Sequence, residues 1–278
     1  MIILFTSNNL ASANIAGKLV EEHGFVEAGE GRWRSEAVGV ELVDTKAPTV
    51  LDVPTDFKTD CIIVLSTHRS KTPGKMLTTH IPGNWNEAMM GGNPRTLNVA
   101  PARILKRMLI ELKEEGDRIG WPVSLEADHH GPLASVPIIF VEIGNGEEQW
   151  KDQEAARAVA NAVARVVENQ HTKPETGNHG AAATSPPVPS ELETAFAVGG
   201  GHYPRTFTKL MLETGIAIGH ILPKYAIDDF DETMFRQAIE KNVEKVDVVL
   251  VAKDEVNASQ RKRIMEMCER SGIGCRLV

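Results

Sequence analysis

The sequence predicts an α/β protein built on a single mixed, mainly parallel β-sheet flanked by helices, and three observations carry that expectation. Short β-branched runs alternate along the chain with segments of helical hydrophobic period, the pattern of parallel strands joined by crossover helices. One stretch breaks the alternation: residues 26–44 read as a hairpin or meander around Gly29-Glu30-Gly31, which makes the sheet mixed rather than purely parallel. The 278 residues suffice for one large α/β unit with a sizeable core, so the expected organisation is one domain over 1–278.

The expected strands are 2–6, 61–66, 123–128, 137–143, 194–198, 216–221, 246–252 and a last short one at 275–278. Between them, Leu105, Met108, Leu109 and Leu112 form an apolar stripe opposed by Lys106, Arg107, Lys113 and Glu114. That predicts an amphipathic helix over 100–115, ended by Gly116. Ala155, Val159, Ala162, Val163, Val166 and Val167 repeat the pattern and predict a helix over 148–169. Shorter helices are expected at 12–23, 204–213, 232–242 and 257–270. Residues 67–98, rich in Gly, Pro, Thr, His and Asn, read as a long connection, and connections of that length usually carry function. A second polar stretch, 171–190, reads as a linker or surface strap.

Composition narrows the function classes. Apolar residues make up 42% and charged residues 24%, an ordinary globular balance that excludes disorder, collagen and coiled coil. Three cysteines cannot form a disulfide framework, and the start Met1-Ile2-Ile3-Leu4-Phe5-Thr6 reads as a first strand rather than a signal peptide. A cytoplasmic location is expected, with no membrane partner, since no apolar run approaches the roughly 18 residues of a span. The net charge of -8 argues against a protein that coats nucleic acid non-specifically.

The nine histidines are more informative. Six of them, His68, His80, His129, His130, His202 and His220, lie at or just after an expected strand or in the long connection. Ligands of open α/β sheets bind at the carboxyl ends of the strands, so if the strands are parallel these imidazoles share one edge with Asp128 and Glu142. Imidazoles and carboxylates in one cleft suit divalent metal binding or acid/base work at neutral pH. His23, His171 and His179 read instead as surface or hydrogen-bonded packing residues, and His220 fits a satisfied core residue as well as a ligand. Gly199-Gly200-Gly201 before His202 permits close backbone approach, either for a tight turn or for amides that stabilise an oxyanion. Gly144-Asn145-Gly146 is better explained by helix-start chemistry than by an anion site. No G-x-S-x-G, H-E-x-x-H, paired C-x-x-C or G-x-x-x-x-G-K-[ST] is present, which removes serine hydrolases of the α/β type, zincins, zinc ribbons and P-loop NTPases.

The same segments resemble the archaeal and plant D-aminoacyl-tRNA deacylases. The matching words are Ser66-Thr-His-Arg-Ser70, Thr78-Thr-His-Ile-Pro-Gly-Asn-Trp85, Glu126-Ala-Asp-His-His-Gly-Pro132, Val141-Glu-Ile-Gly-Asn-Gly-Glu-Glu-Gln-Trp150, Gly199-Gly-Gly-His-Tyr-Pro-Arg205 and Gly219-His-Ile-Leu-Pro-Lys-Tyr225. Asn145 departs from the small residue expected at its position. The resemblance implies a fold similar to peptidyl-tRNA hydrolase and nucleoside phosphorylase. It also implies an association with zinc and hydrolysis of the ester joining a D-amino acid to the 3' end of tRNA.

Roles then follow from residue chemistry. His68, His80, Asp128, His129 and His220 are the expected zinc ligands, and Glu142, His130, His202 and Tyr203 the expected catalytic groups. Gly199, Gly200 and Gly201, with Lys224 and Arg205, are expected to contact substrate. Basic clusters for a D-aminoacyl-tRNA substrate are Arg103-Lys106-Arg107, Arg205 with Lys209, and Arg261-Lys262-Arg263, and a monomer is expected. The competing classes are a metal-dependent amidohydrolase or peptidase acting on a small substrate, and a non-catalytic RNA-binding protein.

Overall fold

A computed structural model describes residues 1–70, 74–171 and 192–278. The polar stretch that begins near His171 and contains His179 lies outside the described residues, apart from the helix end at His171. The chain opens with β1 (Ile2–Phe5), α1 (Leu10–Glu22) and the meander β2 (Phe25–Gly29), β3 (Arg32–Ser35) and β4 (Val40–Asp44), then β5 (Ile62–Thr67). Next come β6 (Met76–His80), β7 (Gly83–Asn84), β8 (Thr96–Leu97), α2 (Ala102–Ile119), β9 (Val123–Leu125) and β10 (Ile138–Gly144). The remainder is α3 (Glu147–Trp150), α4 (Gln153–His171), β11 (Glu193–Val198), α5 (Arg205–Glu213), β12 (Ile216–Leu222), α6 (Glu232–Glu240), β13 (Val248–Val251), α7 (Ala258–Ser271) and β14 (Gly274–Leu277).

The α/β class and the large mainly parallel sheet flanked by helices are as the sequence indicates. The first sheet has eight strands in the order β2-β3-β4-β1-β5-β10-β6-β9. Its centre, β4-β1-β5-β10, is parallel, and β1, β5 and β10 are nearly continuous apolar runs because both faces are covered. The strands after residue 192 do not join that sheet: they form a second, fully parallel one in the order β12-β11-β13-β14, with α5, α6 and α7 as crossovers. The division has a local cause. The segment just after β9 uses its backbone on both sides: Glu126 N donates to Thr79 O at 3.2 Å, while Ala127 N and Asp128 N donate to His202 O at 2.9 Å and Ile221 O at 3.3 Å. This segment is a seam between the sheets, not a strand that continues either ladder.

Residues 67–98 depart from the expected long connection, because they contain β6, which lies between β10 and β9. Its sequence Met-Leu-Thr-Thr-His is β-branched but too polar for its hydrophobicity to announce a central strand. β6 runs antiparallel to β10 and parallel to β9, so the ends of β6 and β9 do not share the carboxyl edge of β5 and β10.

One hydrophobic cluster runs through Ile3, Leu65 and Val141 of the first sheet and Ala195, Ile218 and Leu250 of the second, together with the inner faces of α1, α2 and α4. The predicted stripe of α2 is fully used: Leu105, Met108, Leu109 and Leu112 are all buried, each contributing about 2 kcal/mol of transfer free energy. α2 does not stop at Gly116 but runs on to Gly120, whose φ of 69° provides the left-handed cap. Gly116 lies inside the helix where a Cβ would stand 2.5 Å from Val123 Cγ2, so close packing accounts for it. The helix expected over 148–169 is broken after α3, and Asp152 caps α4 by accepting from the amides of Glu154 and Ala155 at 2.9 and 3.0 Å. No helix among the described residues is long and apolar enough to cross a membrane.

Candidate metal and catalytic site

Strand pleating and the seam together assemble the site. Ser66, Glu142 and Thr78 are register partners across β5, β10 and β6, and alternation puts Phe140 and His80 on the same face two residues along. Glu142 is buried there, taking a hydrogen bond from Ser66 Oγ at 2.8 Å, with His80 Nε2 3.6 Å from Oε1 and His68 Nδ1 3.4 Å from Oε2. The seam adds Glu126, whose carboxylate is buried: Oε1 lies 3.0 Å from His68 Nδ1, and Oε2 lies 3.1 Å from His202 Nε2 and 3.4 Å from His129 Nε2. His129 is oriented by Nδ1, 2.9 Å from Ala127 O, and His130 by Nδ1 against Gly131 O. In each case an N–H donated to the carbonyl leaves Nε2 as an acceptor. The rings of His80 and His129 stand 4.4 Å apart, and those of His129 and His202 4.6 Å.

Five buried polar atoms here have no hydrogen-bond partner among the described residues: both ring nitrogens of His80, both oxygens of Glu126, and Nε2 of His202. They approach other polar atoms closely without the alignment of hydrogen bonds. Leaving such atoms buried and unpaired is costly, and ligand atoms facing a shared cation remove that cost. His68, Glu126, His129 and His202 each offer one ligand atom, all within 4.8 Å of one another, and His80 forms further groups with His129 and His130 and with Glu126 and Glu142. A donor set of imidazole nitrogens and carboxylate oxygens fits zinc.

The same crowding perturbs the titrating groups. Burial opposes charge on His68, but the facing carboxylates of Glu126 and Glu142 outweigh it and raise the imidazole to about 10. Burial works against the charged carboxylates as well, yet His202 and His68 hold Glu126, and His68 and His80 hold Glu142, well below the usual carboxylate range. Burial, reinforced by His80, lowers His130 to about 4 and pushes His129 down as well. Histidines of one cluster thus move in opposite directions, according to whether the facing carboxylates outweigh burial and the neighbouring imidazoles.

Above this cluster opens a cleft of about 760 Å³. Its floor includes His68, Glu142, His129, His130, His202 and Tyr203, and one wall is Val50, Leu51 and Met90. Tyr203 packs its ring 5.5 Å from His68 and 5.0 Å from His202, and its hydroxyl donates to Asn145 Oδ1 at 3.3 Å.

The structure therefore brings together His68, His80, His129, His130, Glu142, His202 and Tyr203. It does not bring in Asp128 and His220, the other two expected ligands. His220 Nδ1 is 2.6 Å from Asp128 Oδ2 and its Nε2 is 2.8 Å from Lys241 O, while Asp128 Oδ1 accepts from Ile221 N at 2.8 Å. Both are buried and satisfied by each other and by backbone groups, and neither belongs to a metal-capable group among the described residues. Gly199 is likewise not free as an oxyanion donor, because its amide is donated to Leu222 O at 2.9 Å; Gly200 O accepts from Lys224 N at 2.9 Å. Gly199 and Gly200 have φ of 121° and 82° and pack where a Cβ would meet Ala252 and Pro204, so the turn itself requires them. Gly201, Lys224 and Arg205 do not line the cleft.

Of the expected basic clusters, Lys106 is buried and reaches the carbonyls of Met211, Thr214 and Ile216, Arg107 pairs with Glu111, and Arg261 and Arg263 hold backbone carbonyls. Sequence reasoning missed Glu126. It opens the word Glu126-Ala-Asp-His-His, but without the seam nothing distinguished it from Asp128.

Comparison with known proteins places this arrangement. The family model described as D-aminoacyl-tRNA deacylase matches residues 55–276. The chain belongs to the D-aminoacyl-tRNA deacylase family. A D-aminoacyl-tRNA deacylase of Thermococcus kodakarensis is 32% identical over 284 residues, covering 98% of this chain and 97% of the relative. One of Pyrococcus horikoshii is 34% identical over 262 residues, covering 90% and 89%. Among solved structures, a conserved protein of unknown function, AF0625, matches with a TM-score of 0.83 and 25% identity, over 99% of this chain and 94% of that one. The family's match runs across both sheets and includes every residue of the cluster.

Proposed function

We propose that this protein hydrolyses the ester bond between a D-amino acid and the 3' end of tRNA, with a zinc ion held by Glu126, His129 and His202 and with His68 as a further donor. The observation that carries the metal is the group His68, Glu126, His129 and His202, whose ligand atoms lie within 4.8 Å of one another, with both oxygens of Glu126 and Nε2 of His202 buried and unpartnered among the described residues. When bound there, zinc supplies Lewis-acid polarisation of the ester carbonyl and acidifies a water molecule to about pH 7. Family membership carries the substrate.

The chain's own groups do the rest. Glu142, fixed by Ser66 and flanked by His68 and His80, keeps negative charge beside these two imidazoles. His130, with Nδ1–H donated to Gly131 O, presents Nε2 to the cleft as the acceptor for the water proton. That proton then passes to the ribose 3' oxygen as it leaves. Tyr203 closes the side of the floor against His68 and His202 and offers its hydroxyl to the amino acid or the terminal ribose. The apolar wall of Val50, Leu51 and Met90 receives the side chain of the D-amino acid.

The test is D-Tyr-tRNA hydrolysis by protein as purified, after chelation, and after zinc is returned, with L-Tyr-tRNA as control. Activity on the D form that falls on chelation and returns with zinc supports the whole reading. Full activity in protein shown to be metal-free leaves the deacylase but removes the metal, and no activity on D-Tyr-tRNA in any state removes both.

A further inference from the structure

We propose that Arg69, which lines the cleft with its guanidinium over the Trp150 ring, binds the last phosphodiester of the tRNA 3' end and so sets the ester over the cluster; the inference rests on the deacylase reading and names the group that anchors its substrate. Arg69 follows His68 directly and lines the same cleft, where it is the only arginine or lysine among the described lining residues. Its guanidinium carbon stands 5.1 Å from the centroid of the Trp150 ring. Trp150 is itself held: its indole N–H donates to His68 O at 3.2 Å, and its carbonyl accepts from Asn14 Nδ2 at 2.8 Å. The residue that carries a cluster imidazole and the ring that carries the guanidinium are thus tied together by one hydrogen bond.

No described carboxylate pairs with Arg69, although carboxylates outnumber cations in this chain. Arg32, Arg95, Arg118, Arg157, Arg165, Arg270 and Arg276 all pair with carboxylates. A guanidinium held over an indole ring with no carboxylate partner keeps N–H donors available, which suits a phosphate and not an apolar side chain. In the substrate, the last phosphodiester is one ribose removed from the esterified oxygen. One long side chain rooted beside His68 spans that separation, whereas Lys224, Arg205 and the other expected basic residues stand off the cleft.

The experiment measures binding of the trinucleotide CCA and of the same trinucleotide with a neutral methylphosphonate at its last linkage, to wild type, Arg69→Ala and Arg69→Lys. Wild type is expected to bind CCA about 10-fold or more tighter than the methylphosphonate form, and Arg69→Ala to abolish that difference. The same variant should flatten the salt dependence of CCA binding by about 0.7 in log–log slope, with Arg69→Lys recovering part of the affinity. Equal loss on both trinucleotides overturns the phosphate assignment in favour of a base or ribose contact, and unchanged CCA binding by Arg69→Ala overturns the site. Neither result depends on hydrolysis, so failure of the deacylase reading is seen separately, as wild type that leaves D-Tyr-tRNA intact.

Discussion

Glu126 Oε2 lies 3.1 Å from His202 Nε2, joining the seam after β9 to the loop after β11, two places 76 residues apart that belong to different sheets. The cluster therefore exists only when the two sheets are docked. Glu126→Gln keeps the shape and removes the charge. It should lower kcat/KM on D-aminoacyl-tRNA by at least about 100-fold and reduce bound zinc, while circular dichroism stays native. A variant with full zinc content and wild-type kcat/KM would remove Glu126 from the site.

Asp128 differs in kind from Glu126 despite being two residues away. Asp128→Ala leaves His220 Nδ1 and Ile221 N unpaired in the interior, which should cost about 3 kcal/mol. Thermal unfolding should show a fall in Tm of about 6 °C with zinc stoichiometry retained. Loss of zinc with an unchanged Tm would return Asp128 to the ligand set.

The proposed zinc, if bound only by the folded chain, would also stabilise it. At free zinc near 100 times its Kd the gain is about 2.7 kcal/mol, so calorimetry of chelated and reloaded protein should differ by about 5 °C. The Glu126→Gln variant should lose most of that difference, which separates binding at the cluster from binding elsewhere.

Lys106→Met removes a buried ammonium, which alone would be favourable, but strands three carbonyl oxygens at the end of α5 and the start of β12. The unpaired carbonyls outweigh the relief of desolvation, and the expected change is a loss of about 2 kcal/mol in urea unfolding with an unchanged m-value. A stabilised variant would show that burying the charge dominates.

Gly116→Ala sets helix propensity against packing. The gain from replacing glycine in a helix is about 1 kcal/mol, but the new methyl would stand 2.5 Å from Val123 Cγ2 and 2.8 Å from Trp121 O. Overpacking of this kind costs about 1–3 kcal/mol, so the net is destabilising and Tm should fall by a few degrees. A rise in Tm would mean that the α2–β9 contact relaxes at little cost.

Much of this protein is legible in its sequence. The periodicities at Leu105 to Leu112 and Ala155 to Val167, the apolar runs of β1, β5 and β10, and the meander around Gly31 each follow from local patterning, because hydrophobic period and turn chemistry act over a few residues. The histidines at 68, 80, 129, 130 and 202 stand out for the same reason, as titratable groups in costly places. Which of their neighbours joins them does not follow from the sequence. Asp128 and Glu126 are both carboxylates in one short word, and only the register of the seam, with Ala127 N on His202 O and Asp128 N on Ile221 O, turns Glu126 into the cluster and Asp128 toward His220. The reversed β6 and the separation of the second sheet are likewise non-local, since strand direction and partner depend on backbone hydrogen bonds between residues far apart in the chain. Local chemistry determined what the site is made of, and tertiary hydrogen bonding decided which atoms face one another.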